Sequence, residues 1–475
     1  MTRTTLRKLF ISPPLAFARI GPSSTPLDAY YWGPNDNSPD GTGKTTIVPA
    51  ETLDVAEDGT VKLREPEAIT FKDKDGFRPV CPFFELWGVW NGAPDGAPIT
   101  DRVLADWGLT RKNLRWTIEV ANLKPFFMTQ DPDTRIEARV ELAGTDTTRR
   151  PLLGRSPAGA QKPLVPVGQH IQLGTVQLTE PNSILPELRL RFTPGAGRFY
   201  GPTDLKRRWP AVDLPEGQLF LNAQSKWCGW MMPTDDPRGW PPGQYAGDKA
   251  KGSYGLVDDI CDGIILCTLT DADGKPYVAR ARIVVAPPDY APDRRHVVSL
   301  ADGLADRVRR ADVFTPEYTA DAQALEREIQ DLMERVFETM GLMNLDVFND
   351  RVDKVENQLV ALDFGDTYVP GRNRPFGGRA SEGEPPEHNP LPLTTRGRIA
   401  HRRYVTYAAL ADFVRTDPER FLRAIRSPLD LESMFDWRMP ALMKDAGDTP
   451  LTLTPRQYEL VRRWVETLRP GSAPQ

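Results

Sequence analysis

The sequence predicts an α+β protein in which a mainly β N-terminal scaffold with long proline-rich loops precedes a mainly α C-terminal region. Apolar residues alternate with a period of two before about residue 305 and recur every three to four residues after it. The 475 residues also include 46 prolines against 37 glycines. Proline fixes φ and lacks an amide proton, so this composition favours strands, turns and rigid loops over long helical bundles.

Strands are predicted wherever the two-residue alternation is clear. It runs through residues 114–120 and 135–142, and Leu9, Phe10 and Ile11 predict a first strand. Glycine closes the turn clusters at residues 73–76 and 271–274, where tight turns need a positive φ. The last of these turns joins two apolar runs within residues 258–292, so a strand pair is expected there.

The helical period begins after residue 305. One apolar face comprises Leu325, Ile329, Leu332, Val336 and Met340. Asp417 and Pro418 have the residue types of an N-cap and a first helical position. In the final helix, Thr454, Pro455 and Gln457 form a capping-box pattern ahead of a buried stripe that contains Trp464.

Four segments follow from these patterns. Residues 1–304 form the β-rich scaffold, residues 305–369 a helical segment, and residues 399–475 a C-terminal helical region. Residues 370–398 are rich in Gly, Pro, Arg and Glu without apolar periodicity, which predicts a long loop or linker.

Composition limits the partners and the compartment. A formal net charge of −5 gives no general attraction to nucleic acid or to anionic membranes. No run reaches the roughly 18 to 20 apolar residues of a membrane helix. Four cysteines in so long a chain do not make a disulfide framework, and reduced buried thiols fit a cytoplasmic protein. Neither nucleic acid nor membrane is expected as a partner, whereas a protein partner or a second copy is possible.

Several motifs lack the context that their chemistry needs. The GTGKTT run at residues 41–46 resembles the end of a phosphate-binding loop, but Pro39 removes an amide from it and no buried strand precedes it. The histidines are widely spread and have no Cys or His at ligand spacing, so no metal site is predicted. Asp346, Asp350 and Asp353 lack an EF-hand's glycine and closing glutamate. No Gly-x-Ser-x-Gly elbow of a serine hydrolase occurs.

The strongest acidic group is Asp258, Asp259 and Asp262, at a junction between strand and turn. Loop carboxylates at such a junction can reach a ligand or act as a base. Alternatively, these side chains accept hydrogen bonds from nearby amides as ordinary turn residues do. Both interpretations stay open from the sequence.

The second chemically suggestive group is Cys228 with Trp230. A quinone derived from tryptophan forms a Schiff base with a primary amine, and such an enzyme needs an oxidised Trp linked to a Cys sulfur and a nearby carboxylate base. In a strand, Trp227 and Cys228 would point to opposite faces, whereas Cys228 and Trp230 would share one. An aromatic-rich core or loop anchor is the alternative.

A series of motifs in collinear order covers most of the chain. They are residues 11–21 (ISPPLAFARIG), 75–85 (DGFRPVCPFFE), 120–124 (VANLK), 258–292, 438–440 (RMP) and 451–458 (LTLTPRQY) with Trp464. In these segments the chain resembles the cysteine tryptophylquinone amino-acid oxidases, the family of lysine 6-oxidase and glycine oxidase. The resemblance implies a relation to enzymes that deaminate a primary amine oxidatively and release peroxide.

The family's cross-linked Cys and Trp come from a region after the helix that matches residues 455–468, and this sequence ends at Gln475. No catalytic residue is therefore carried over, and no cofactor is expected. The resemblance then implies a non-catalytic binding or structural subunit. The alternative is an amino-acid oxidase with a relocated or partner-supplied cysteine tryptophylquinone, for which Cys228 and Trp230 are the local candidates. A third hypothesis is unrelated ligand binding by the acidic loop around Asp258.

Overall fold

The computed structural model describes residues 6–35, 45–229, 254–288, 296–313, 315, 318, 321–342, 354–355, 358–359, 407–430, 438–440, 449 and 451–469. Strands dominate its N-terminal part and helices its C-terminal part, which confirms the predicted α+β class. The predicted linker at residues 370–398, the GTGK run at residues 41–44 and the acidic residues at positions 346, 350 and 353 lie outside the described residues.

The strands are β1 (Leu6–Ser12), β2 (Leu15–Arg19), β3 (Tyr30–Asn35), β4 (Thr45–Pro49), β5 (Thr52–Val55), β6 (Val61–Arg64), β7 (Lys72–Asp73), β8 (Gly76–Phe77), β9 (Phe83–Trp90), β10 (Ala93–Pro98), β11 (Leu114–Asn122), β12 (Ile136–Ala143), β13 (Arg150–Gly154), β14 (Ile171–Leu178), β15 (Arg189–Pro194), β16 (Phe199–Pro202), β17 (Leu219–Leu221), β18 (Val257–Asp258), β19 (Asp262–Thr270), β20 (Pro276–Ala286), β21 (Lys354–Val355) and β22 (Gln358–Leu359). The helices are α1 (Asp101–Asp106), α2 (Lys124–Thr129), α3 (Leu205–Arg208), α4 (Leu300–Val313), α5 (Ala322–Leu342), α6 (Tyr407–Thr416), α7 (Pro418–Arg423) and α8 (Pro455–Leu468).

Two large sheets share one apolar core. The first has the order β1-β9-β15-β14-β13, with β10 also on β9, and the second has the order β12-β11-β19-β20-β2. Alternate residues of β11 point into the core, among them Trp116 and Ile118, and they meet Leu190 and Phe192 of the other sheet in the same cluster. The predicted strand at residues 114–120 is thereby confirmed, and its alternation reflects one buried face.

The predicted strand pair within residues 258–292 is β19 and β20, which run antiparallel. The predicted turn at residues 271–274 joins them, with Gly274 at φ 79°. Asp271 accepts hydrogen bonds from the amides of Asp273 and Lys275 at 3.0 and 2.8 Å. Residues 289–292 of the stretch lie outside the described residues.

The first two strands divide between the two sheets. Strand β1 pairs antiparallel with β9 in the first sheet, whereas β2 pairs parallel with β20 in the second. Arg19 at the end of β2 donates a hydrogen bond to the carbonyl oxygen of Pro287, 268 residues away in sequence. The N-terminal arm therefore connects both sheets at one edge.

The helical part has a separate core. Helix α5 buries Leu325, Ile329, Leu332 and Val336, as its period predicts, and α8 buries Trp464. The Trp464 ring meets that of Phe421 with centroids 5.7 Å apart. The predicted caps are present: Asp417 accepts from the Arg420 amide at 3.0 Å, and the Thr454–Gln457 capping box is complete. Helix α4 begins at Leu300, slightly before the predicted change at residue 305.

A buried cluster of charges joins the first sheet to α4. Glu85 of β9 is 1% exposed and contacts guanidinium groups from both sides: Arg189 of β15 at 3.2 Å, and Arg310 and Arg307 of α4 at 2.9 and 3.5 Å. The indole of Trp87 also donates to Glu85, at 2.6 Å. Burial raises the pKa of Glu85, but Arg310, Arg189 and Arg307 outweigh it and hold the pKa well below its usual range.

Substituting Glu85 by Gln removes the shared counter-charge of three buried arginines. We expect a loss of about 3–5 kcal/mol in the free energy of unfolding at pH 7, measured by chemical denaturation. The control is Glu119→Gln, because the Glu119 carboxylate pairs with Arg139 at the surface and should cost less than about 1 kcal/mol.

Comparing the wild type with Glu85→Gln as a function of pH tests whether Glu85 is ionised in the folded protein. A carboxyl whose folded pKa is depressed contributes stability above its unfolded pKa of roughly 4.3, and this contribution is lost as the pH falls toward the folded pKa. The difference in stability between wild type and Glu85→Gln should therefore narrow below about pH 4. A difference that stays constant down to pH 2.5 would contradict the assignment of Glu85 as the ionised centre of the cluster.

Candidate functional site

The three acidic candidates diverge into separate contacts. Asp258, at the end of β18, accepts hydrogen bonds from the side-chain amide of Asn122 at 2.9 Å and from the Lys124 ammonium at 2.5 Å. Asp262 is exposed, and its carboxylate accepts a long bond of 3.4 Å from the Val285 amide. Their catalytic roles stay predictions. The donors come from residues 23 to 136 positions away in sequence, so these contacts tie the segment to other elements rather than closing a local turn.

Asp259 fixes a distant loop. Its side chain is 1% exposed and accepts hydrogen bonds from the backbone amides of Gly197 at 3.0 Å and Arg198 at 3.0 Å. Burial raises the pKa of Asp259 to about 6, against the two amides, which lower it. Gly195 passes so close that a Cβ there would lie 2.6 Å from the Asp259 Cγ. The Asp259 carboxylate therefore occupies space that is free because residue 195 has no Cβ.

Cys228 is buried in a turn. It is 1% exposed, and burial raises the pKa of its thiol to about 11, so little thiolate is present at neutral pH. Trp227 is equally buried and donates a hydrogen bond to the Leu256 carbonyl at 3.2 Å. Both neighbours point inward because residues 226–229 form turns, so the argument from opposite strand faces does not apply. Trp230 lies outside the described residues.

A large cavity lies elsewhere, between the first sheet and the helical part. Its volume is about 890 Å³. Most of the described residues that line it come from β2, from residues 24–32, 52–55 and 80–85, from α4, and from residues 296–300 and 451–454; Ser12, Pro13, Phe71, Arg191 and Pro440 complete the described lining. Aromatic rings contribute much of the wall, namely Phe17, Tyr30, Trp32, Phe71 and Phe83. Asp258, Asp259 and Asp262 are not among these lining residues.

Charged groups are concentrated on one side of this cavity. Glu85, Arg307 and Arg310 of the buried cluster line it together with Arg191 of β15. Arg191 is 6% exposed, and within the described residues its guanidinium group has neither a hydrogen bond nor an ion pair. The guanidinium carbons of Arg191 and Arg307 lie 5.9 and 5.6 Å from the centroid of the Phe83 ring.

Neither Arg191 nor Arg307 was identified as a candidate from the sequence. Arg189 and Arg191 alternate with Leu188, Leu190 and Phe192, which reads as a strand with one solvated face. Helix α4 covers that face instead. The sequence does contain a run of charged residues on α4, namely Asp306, Arg307 and Arg310. The strand that contacts this run cannot be identified from one sequence.

No group of three His, Cys, Asp or Glu side chains able to hold a metal ion occurs within the described part of the chain. All four cysteines are free and buried, as reduced thiols are expected to be. Among the described helices, none is both long and apolar enough to cross a membrane.

Replacing Gly195 by Ala should force the Asp259 carboxylate away from its two amides. We expect a loss of about 1–3 kcal/mol in the free energy of unfolding, since the added methyl overpacks a buried site and breaks hydrogen bonds. Gly217→Ala is the matched control, because nothing lies within 4 Å of a Cβ at that position. Equal stability of the two variants in denaturant titrations would show that the close contact between Gly195 and Asp259 does not contribute to the free energy of unfolding.

Comparison with known proteins gives distant structural neighbours. No known family model matches the chain, and no curated protein matches it in sequence. Among solved structures, the ε-lysine oxidase from Marinomonas mediterranea matches with a TM-score of 0.35 and 15% identity, over 98% of this chain and 62% of that one. The Schiff-base intermediate of the same oxidase with L-Lys gives a TM-score of 0.34 and 15% identity, over 98% of this chain and 62% of that one. This chain thus spans 62% of the length of those oxidases, and so distant a similarity carries no information about its activity.

Proposed function

We propose that this chain is a ligand-binding relative of the cysteine tryptophylquinone amino-acid oxidases that works without a quinone, as a binding or structural subunit. The collinear motifs of the sequence support the relation to that family. The cavity of about 890 Å³ between the first sheet and the helical part is the observation that carries the binding function.

The cavity has the properties of a small-molecule site. Such sites measure roughly 300–1,000 Å³ and combine a mainly apolar wall with a few placed polar groups. Here the described lining residues include five aromatic side chains. Glu85, Arg191, Arg307 and Arg310 place charged groups on the side formed by β9, β15 and α4, whereas Arg19 and Asp54 line other parts of the wall. The buried cluster around Glu85 holds that side in place, because it ties both strands to the helix.

The non-catalytic part of the proposal rests on the surroundings of the candidate residues. Quinone chemistry needs a carboxylate base that can reach the substrate. The Asp258 carboxylate is paired with Lys124, and that of Asp259 is held by two backbone amides. The Cys228 thiol is buried, and its raised pKa of about 11 disfavours the thiolate. These groups already have structural partners.

Filling the cavity should abolish ligand binding. We expect the neutral fluorophore N-phenyl-1-naphthylamine to bind saturably to the wild type, and Val298→Trp, at the cavity wall, to weaken binding at least about tenfold by occupying the space. Val278→Trp is the control, since Val278 is exposed on β20. Fluorescence titration checks both. Unchanged affinity in Val298→Trp, or no binding to the wild type, would overturn the proposal.

The oxidase alternative predicts different results. On the present proposal, the purified protein has the intact mass of its unmodified sequence, gives no quinone redox stain and releases no peroxide from lysine or glycine. A mass shift with positive staining would instead indicate a cross-linked tryptophylquinone. Peroxide release that disappears in Cys228→Ser would assign the relocated quinone to Cys228.

A further inference from the structure

Within the described part of the chain, the Arg191 guanidinium group is a buried cation that has neither a hydrogen bond nor an ion pair. The Arg191 side chain lines the cavity, and the residue as a whole is 6% exposed. Its buried Nε has no hydrogen bond within the described residues. A buried charge is costly unless it is paired. The Phe83 ring, 5.9 Å away, offers only a weak cation–π contact. A negatively charged group entering the cavity would complete this site.

The neighbouring charges do not supply that group. Around the end of the cavity formed by β9, β15 and α4, the described cations are Arg189, Arg191, Arg307 and Arg310, and the described carboxylates are Glu85, Glu187 and Asp306. Each of these carboxylates already contacts an arginine other than Arg191. The cluster therefore has an excess of positive charge on the side that faces the cavity.

Arg307 is the second incompletely paired cation of the site. Its side chain is 10% exposed, and its closest carboxylate contact is the 3.5 Å approach to Glu85, which Arg189 and Arg310 share. Burial lowers the pKa of Arg307 to about 10, and the attraction of Glu85 only partly opposes this. Its guanidinium group lies against the same Phe83 ring as that of Arg191.

We propose that the cavity binds a small organic carboxylate, with its carboxylate group on Arg191 and Arg307 and its apolar body against the aromatic wall. This deepens the proposed function and rests on it. The planar guanidinium fork matches a carboxylate with two parallel hydrogen bonds. Phe83 lies beside both cations and Phe17, Tyr30 and Phe71 line the same space, so the ligand carries an apolar chain or ring next to its charge.

The test compares octanoate with octanamide on the full-length wild-type protein by isothermal titration calorimetry. The two probes share shape and apolar area and differ in charge. We expect octanoate to bind at least about tenfold more tightly than octanamide, since hydrogen bonds to charged groups contribute about 1.5–3 kcal/mol. Equal affinity for the two probes would overturn the carboxylate inference and leave the proposed binding function intact. Binding of neither probe, with no binding of the neutral fluorophore, would overturn both.

Arg191→Met separates ligand recognition from a structural role. Because the substitution removes an unpaired buried charge, the ligand-free variant should melt at or above the temperature of the wild type, while octanoate affinity falls to that of octanamide. Arg191→Lys keeps the charge but loses the fork and should retain part of the preference. Arg139→Gln is the control, since Arg139 is exposed and outside the cavity wall. A lower melting temperature in Arg191→Met with an unchanged preference for octanoate would make Arg191 a structural residue and refute the inference.

Discussion

The contact on which the rest of the structure depends is the one between Glu85 and the guanidinium groups of Arg189, Arg307 and Arg310. It is the polar junction between a sheet and a helix that otherwise belong to different apolar cores. A carboxylate buried there could not remain ionised without cations from both elements, and those cations could not be buried without it. Sheet and helix therefore position each other, and the cavity lies beside this junction.

The sequence allowed the regular elements to be predicted because their physical signals are local. The β19–β20 pair follows from alternation around a Gly-closed turn, and helix α8 follows from Thr454, Pro455 and Gln457 at its start. The buried arginines depend on contacts that β9 makes with β15 and with α4, and these elements are far apart in the chain. Alternation on β15 shows that Arg191 leaves the core between the sheets, but it does not show that a helix covers the other face. Long-range burial of charge leaves no periodic trace.

The same distinction applies to the acidic group. Its position between strand and turn was correctly read from the sequence, yet the partners of Asp258 and Asp259 come from residues 122–124 and 197–198. Those partners turn the two neighbouring carboxylates into separate ties to other parts of the chain. Neighbouring carboxylates can act on one ligand only if the fold leaves them without other partners. Here Asp258 binds Lys124, and Asp259 accepts hydrogen bonds from the backbone amides of residues 197 and 198. Among the described residues, Arg191 at the cavity instead carries a buried guanidinium group that has neither a hydrogen bond nor an ion pair.

The division of the N-terminal arm between the two sheets has a consequence for how the chain acquires its structure. Strand β2 closes the edge of the second sheet against β20, and the bond from Arg19 to Pro287 joins residues 268 apart. On a ribosome, β2 emerges long before β20 and must wait for it before that edge is paired. Contacts between residues so far apart in sequence slow folding, because the entropy cost of closing the loop arises before the pairing contributes any stability. Until then, an unpaired and largely apolar β2 is exposed to other chains, so the yield of native protein should depend on how long that strand is shielded during synthesis.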